Sequence, residues 1–265
     1  MSVNENARPP TENRILNALS GEEYERLAPH LEFISTNHGQ ILYQTNQEID
    51  YVYFPDKTMI SLVSQMSDGG SVEVGIVGFE GMAGLPFVLG VEKSPHETMV
   101  QIHDGAARMP AHVLREEFKR GGILQEALLR YTQSLLLLTS QVAACNRAHS
   151  VEERLARWLL MSQDRCLSPD LPLTHEFLSM MLGVRRAGVT VAALALQAEG
   201  LIHYTRGRIQ ITNREGLEEY ACECYAMVKA EFDCVTSGTE NAGGGQNGID
   251  KQKHATGVHE HSDPD

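Results

Sequence analysis

Arg185 and Arg186 stand side by side just after Gly183, and Arg206 and Arg208 flank Gly207 further along the chain. A guanidinium is always charged and presents its donors in a rigid planar fork. That fork fits a phosphate, and it fits the O6 and N7 edge of guanine in a bidentate manner. Thr190, one helical turn beyond Arg186, places a hydroxyl and a methyl on the same face, and the methyl suits contact with a thymine methyl. The chemistry these residues suit is recognition of a polyanion rather than bond making. The whole chain of 265 residues carries 35 acidic and 22 basic side chains, a net charge of −13 that opposes phosphate binding. Between residues 171 and 214, however, five arginines face two glutamates. Positive charge is concentrated where an anion would be met.

The elements around these arginines are written in local signals. In LTHEFLSMMLGVRRAGVTVAALALQAEGLIHYTRGRIQI, Thr174 is an N-cap for a helix running through Leu182, with Phe177, Leu178 and Leu182 facing inward. Gly183 ends it. A second helix from about Arg186 to Ala198 buries Val189, Ala192, Ala193 and Leu196, and its small alanines permit close crossing over the first helix. Two short helices joined by a glycine turn make a helix-turn-helix, with Arg185 and Arg186 at the positive N-terminal end of the second. After Gly200, Leu201 to Tyr204 and Arg208 to Ile211 read as a hairpin, a wing that carries Arg206 and Arg208 toward backbone phosphates. The reading is a duplex-DNA binder whose alternative is a winged helix used for protein or RNA contacts.

Further toward the N-terminus the texture changes. From Gly39 to Met109, short β-rich runs such as Tyr51 to Phe54, Ile60 to Val63 and Val72 to Val77 are separated by turn residues, among them Asp68-Gly69-Gly70. An antiparallel sandwich or barrel is expected, preceded by a helix from Asn13 to Ala28. Leu124, Leu128, Tyr131, Leu135, Leu138, Val142 and Cys145 then alternate steps of four and three, the seam of a long helix, and this seam is expected to meet a second copy of the chain. Leu136 and Leu137 lie off it and are expected to pack on the β-domain. Val151 to Arg165 forms another amphipathic helix before Ser168-Pro169. The expected plan is α+β: a lead over 1–12 and a tail over 236–265 without structure, a jelly-roll-like β-roll over 13–122, a dimerisation helix over 123–147 and a winged helix-turn-helix over 148–235.

This order of elements, with the motifs LTHEFLSMMLGVRR and AGVTVAALALQAEGLI, resembles the Crp/Fnr transcription regulators from about Asn13 to Asp233. The resemblance implies a cyclic-nucleotide-binding-like sensor, a dimerising helix, a palindromic DNA site and RNA polymerase as a further partner. Arg186 falls where the family has a base-contacting arginine. The glutamate that follows it in the family is Ala187 here, and the second base-reading arginine is Val191. Cyclic-nucleotide members hold ribose with a glutamate and phosphate with an arginine. With Gly81 and Gly84 aligned, the segment GFEGMAGLPFVLGVEKSPHETMV offers Met82 in the first place and His96-Glu97-Thr98 in the second. No arginine occurs from Leu27 to Ala107, and Lys57 and Lys93 are the only lysines there. A buried phosphate without a cationic partner is poorly compensated, so no cyclic nucleotide is expected and the effector is left unnamed.

Other chemistries fit less well. Cys145, Cys166, Cys222, Cys224 and Cys234 are too few and scattered for a disulfide framework, and Cys222-x-Cys224 lacks the spacing of a zinc ribbon. The family's iron–sulfur version places its thiols near the N-terminus, whereas the first cysteine here is Cys145. His38, His96, His103 and His112 are read as structural, and His254, His259 and His261 as solvated tail residues. No metal or cofactor is therefore expected. Glu73, Glu80, His96 and Glu97 form no spaced catalytic constellation, so no enzyme is expected in the β-domain. Apolar runs are too short to span a membrane, and residues 1–11 lack a secretory profile, which makes the cytoplasm the expected location.

Overall fold

The computed structural model describes residues 9–67 and 69–234. The lead expected over 1–12 lies outside these residues as far as residue 8. The tail from 236 lies outside them entirely, with His254, His259 and His261.

The chain enters through α1 (Arg14–Ala18) and α2 (Gly21–Leu27). A single helix was expected here. The break has a local cause: Ser20 caps α2 in a reciprocal capping box with Glu23, so its backbone must be extended where a continuous helix would need it helical. The strands follow: β1 (Glu32–Ser35), β2 (Ile41–Tyr43), β3 (Tyr51–Pro55), β4 (Met59–Gln65) and β5 (Ser71–Val77). After the short α3 (Leu85–Val88) come β6 (Glu97–Ile102) and β7 (Gly105–Pro110). They form two antiparallel sheets, ordered β1-β7-β3 and β2-β6-β4-β5. Between them Phe54, Met59, Ile60, Val63, Val100 and Met109 are buried. The β4–β5 hairpin closes at Gly69, whose φ of +86° is a conformation that glycine takes without steric penalty, and it holds Ile60 opposite Val77. This is the antiparallel β-roll the alternating pattern implied.

Behind the roll lie α4 (Ala111–Arg120) and the long α5 (Ile123–Ala148). The expected seam of α5 faces the chain's own body. Leu124, Leu128, Tyr131, Leu138 and Cys145 are all but fully buried within one protomer, and Leu135 and Val142 are half-buried against the same core. Leu136, expected to pack on the β-domain, instead points outward and is 62% exposed, and Leu129 is 50% exposed. The spacing was real, but it marks the stripe any helix turns to its nearest core.

Two residues later α6 (Val151–Cys166) begins with a second capping box, Ser150 with Glu153. Its buried polar side chains bind it to the β-roll. Arg165 Nε donates to Glu80 Oε1 at 2.7 Å, and Trp158 Nε1 donates to Glu73 Oε1 at 2.7 Å. Burial raises the Glu73 carboxyl to about 7, although hydrogen bonds from Ser61 and Trp158 pull the other way. The chain then forms β8 (Asp170–Leu171), α7 (His175–Leu182), α8 (Arg186–Ala198), β9 (Ile202–Thr205) and β10 (Arg208–Ile211), and ends in α9 (Arg214–Tyr220) and α10 (Cys224–Cys234). Among the described residues, no single helix is long and apolar enough to cross a membrane.

Candidate nucleic-acid interface and an apolar cavity

Thr174 Oγ1 accepts from the amide of Phe177 at 3.2 Å and starts α7, and Gly183 ends it at a left-handed φ of +61°. The chain turns through 105° before α8 begins, within the range of helix-turn-helix motifs. Leu178, Met181 and Leu182 of α7 pack with Val189, Ala192, Ala193 and Leu196 of α8 in one core. Arg154 on α6 adds a tie by donating from its guanidinium to the carbonyl of Leu182.

This packing leaves the N-terminal end of α8 facing solvent. Arg185 is its N-cap with extended backbone, and no side chain caps the helix. No side chain therefore competes for the amides of Arg186 and Ala187, while Gly188 N already donates to the Arg185 carbonyl at 2.8 Å. Arg185 and Arg186 are exposed, and Arg186 pairs with Glu176 at 3.7 Å, itself largely exposed. Further along α8, Val191 and Leu194 are 61% and 59% exposed. These two apolar side chains stand in the outer face beside Arg186. From the sequence, Val191 had registered only as a missing arginine.

Thr190 is placed differently from expectation. It is half-buried, its hydroxyl donates to the carbonyl of Arg186 at 3.1 Å, and it lies 3.0 Å from His175 Nδ1. The His175 ring stacks on Tyr204 of β9, centroids 4.1 Å apart. One imidazole thus joins α7, α8 and the wing, and burial followed by the Arg186 charge lowers its proton affinity. Only an aromatic pair brought together by folding discloses this role, so no local motif signalled it.

The wing is a three-stranded sheet ordered β8-β10-β9, with Ile209 opposite Tyr204 and Leu171. Its tip turns at Gly207, φ +70°, and holds Arg206 and Arg208 outward. Among the described residues, no carboxylate lies within ion-pair distance of Arg185, Arg206 or Arg208. Arg214, the fifth arginine of the basic stretch, is an internal brace. It donates to Asp164 at 2.7 Å, to the Tyr225 hydroxyl at 2.7 Å and to Glu218 at 2.8 Å.

The second feature is a cavity of about 410 Å³ between the β-roll and α5. Met82, Leu85, His96, Thr98, Leu135 and Leu136 help line it, and no charged side chain does. His96 Nδ1 is buried without a hydrogen-bond partner, and burial lowers its proton affinity. The adjacent glycine loop touches α5 closely: a β-carbon on Gly81 would stand 2.1 Å from the Tyr131 ring, and the Tyr131 hydroxyl donates to Met82 O at 3.1 Å.

Residues 153–220 match the model of the Crp-like helix-turn-helix domain. The fold is similar to that of a Crp/Fnr-family transcriptional regulator from Eubacterium rectale, with TM-score 0.62, 17% identity, and 78% of this chain and 96% of that one covered. It is similar to FixK2 from Bradyrhizobium japonicum, with TM-score 0.62, 16% identity and coverage of 72% and 98%. A Crp/Fnr-family transcriptional regulator from Thermus thermophilus aligns with TM-score 0.57, 21% identity and coverage of 72% and 98%. No curated protein matches in sequence.

Proposed function

We propose that this protein, a Crp-like helix-turn-helix domain set on the Crp/Fnr fold, is a transcription regulator that binds a palindromic duplex as a homodimer in the cytoplasm. The observation that carries the reading is the end of α8, where no side chain caps the helix and Arg185 and Arg186 are exposed, together with the exposed Arg206 and Arg208 at the wing tip. That geometry suits insertion of the helix end into a major groove, with Arg186 on base edges and Arg185, Arg206 and Arg208 on phosphate. Val191 and Leu194 suit the methyl groups of thymine, so the target site differs from one read by a second arginine.

Leu129, Gln133, Leu136, Ser140 and Ala143 form an outward row on α5 spaced by four and three, and two copies pairing along it would make the dimer. A two-fold pair reads half-sites about 34 Å apart, one helical turn. Leu136 belongs both to that row and to the cavity wall, so an occupant of the cavity would act directly on the pairing surface. The uncharged lining suits a neutral, largely apolar effector and not a cyclic nucleotide. Contact with RNA polymerase follows from the regulator reading, and no catalytic role is assigned.

Site selection from randomised duplexes with the purified protein tests this. A two-fold symmetric consensus is expected, bound with an affinity that falls steeply with salt. Failure to enrich any duplex, or a preference for RNA over duplex DNA, would overturn it.

A further inference from the structure

At the C-terminal end of α5, four potential donors from two distant stretches of sequence meet. Cys145 lies in the last turn of α5 and His149 is that helix's C-cap, and Cys222 and Cys224 sit where α9 gives way to α10. Their ligand atoms all lie within 4.8 Å of one another. Cys145 Sγ is 3.5 Å from Cys222 Sγ, and Cys224 Sγ is 3.6 Å from His149 Nδ1. Tetrahedral zinc, with bonds of about 2.3 Å to sulfur and about 2.0 Å to nitrogen, sets such pairs about 3.5 to 3.8 Å apart.

We infer that Cys145, His149, Cys222 and Cys224 bind one zinc ion through three thiolates and the Nδ1 of His149, bolting α10 to the end of the long helix. The surroundings suit such a site. His149 Nε2 lies 3.2 Å from Glu223 Oε2, so its second nitrogen donates to a carboxylate, as metal-bound imidazoles usually do. Gln141 Nε2 donates to Cys224 Sγ at 3.0 Å. Three thiolates around a divalent ion leave one negative charge. Arg154 and Arg157, both buried on α6, each act electrostatically on Cys145. Among the described residues their Nε atoms have no hydrogen-bond partner. The thiols are buried and all four ligands come from the protein, the closed arrangement of structural zinc sites. Metal binding would displace the thiol protons to solvent and change no oxidation state.

Tag-free, full-length protein purified under reducing conditions is expected to hold one zinc per chain by elemental analysis. Stripped and titrated with Co²⁺, it is expected to develop thiolate-to-cobalt charge-transfer absorption and the strong visible bands of tetrahedral coordination, saturating at one equivalent. Glu223→Gln is expected to weaken zinc binding about 10- to 100-fold while leaving the four ligands in place. In Cys145→Ser/Cys224→Ser the cobalt bands are expected to vanish, which separates this site from the tail histidines. Three results would overturn the inference: no tetrahedral bands in the native chain, bands that persist in the double variant, or a Cys145–Cys222 disulfide in protein alkylated directly from cells.

Discussion

The Tyr131 ring fills the space a β-carbon on Gly81 would occupy, with 2.1 Å between the two positions, and its hydroxyl bonds the next residue's carbonyl. The glycine loop of the β-roll and the long helix are therefore closely fitted at this point. Gly81→Ala is expected to destabilise the protein by about 1 to 3 kcal/mol through overpacking, and Tyr131→Phe by about 1 kcal/mol through one lost hydrogen bond. Urea unfolding measures both. An unchanged midpoint for Gly81→Ala would mean that ring and loop are not in contact.

Arg186 and the wing arginines are expected to fail in different ways. Arg186→Ala should weaken binding to the selected site by about 1 to 3 kcal/mol and relax the preference at one base pair. Arg206→Ala and Arg208→Ala should lower affinity evenly across sequences, each flattening the log–log salt dependence by about one unit. Fluorescence anisotropy over a salt series separates the two patterns. Equal loss of specificity in all three variants would contradict the division of roles.

The dimer is expected to depend on the outward row of α5. Leu136→Glu should give a monomer by sedimentation without unfolding it, because that side chain is mostly exposed. Leu128→Ala, at a fully buried position, should lower stability by about 2 to 5 kcal/mol. A Leu136→Glu protein that stays dimeric would place the interface elsewhere.

Thr190→Val tests whether that side chain reads DNA or supports the helix that does. It keeps a methyl group but removes the hydroxyl that bonds Arg186 O and His175. A stability loss of about 1 kcal/mol with unchanged base preference is expected. An altered consensus would restore Thr190 to the reading surface.

Glu73 makes the junction between roll and α6 sensitive to pH. Its folded-state proton affinity is raised to about 7 by burial, so the folded protein holds a proton that an unfolded carboxyl would release. That contribution is complete below the ordinary carboxylate range and is lost as pH rises through about 7. Glu73→Gln keeps an acceptor for Trp158 but cannot ionise. Its unfolding free energy should be flatter between the ordinary carboxylate value of 4.5 and about 7, the span these two affinities set, and a wild-type-like slope there would exonerate this carboxyl.

The helix-turn-helix was legible because its signals are local. Thr174 caps, Gly183 and Gly200 stop, and the alanines of α8 mark the crossing, all within a few residues of the structure they cause. The β-roll was legible for the same reason, since period and turn residues suffice. What escaped depended on distant neighbours. The spacing from Leu124 to Val142 defines a face but not whose core it meets, and here the core is the chain's own. Thr190 shares a helical face with Arg186, yet His175 draws its hydroxyl inward. Cys145 and Cys222 lie 77 residues apart, and no motif of short spacing could join them.

The placement of the exposed arginines at one end of an acidic chain has a kinetic consequence. On the proposed duplex-binding reading, the net charge of −13 opposes approach to the phosphate backbone, while the exposed arginines of α8 and the wing tip favour it. The duplex field therefore exerts a torque, turning the protein head-first before contact within the range that salt leaves unscreened, about 8 to 10 Å near physiological strength. On that reading misoriented encounters are turned away before any base is touched, and the acidic body acts as a rudder for the basic head.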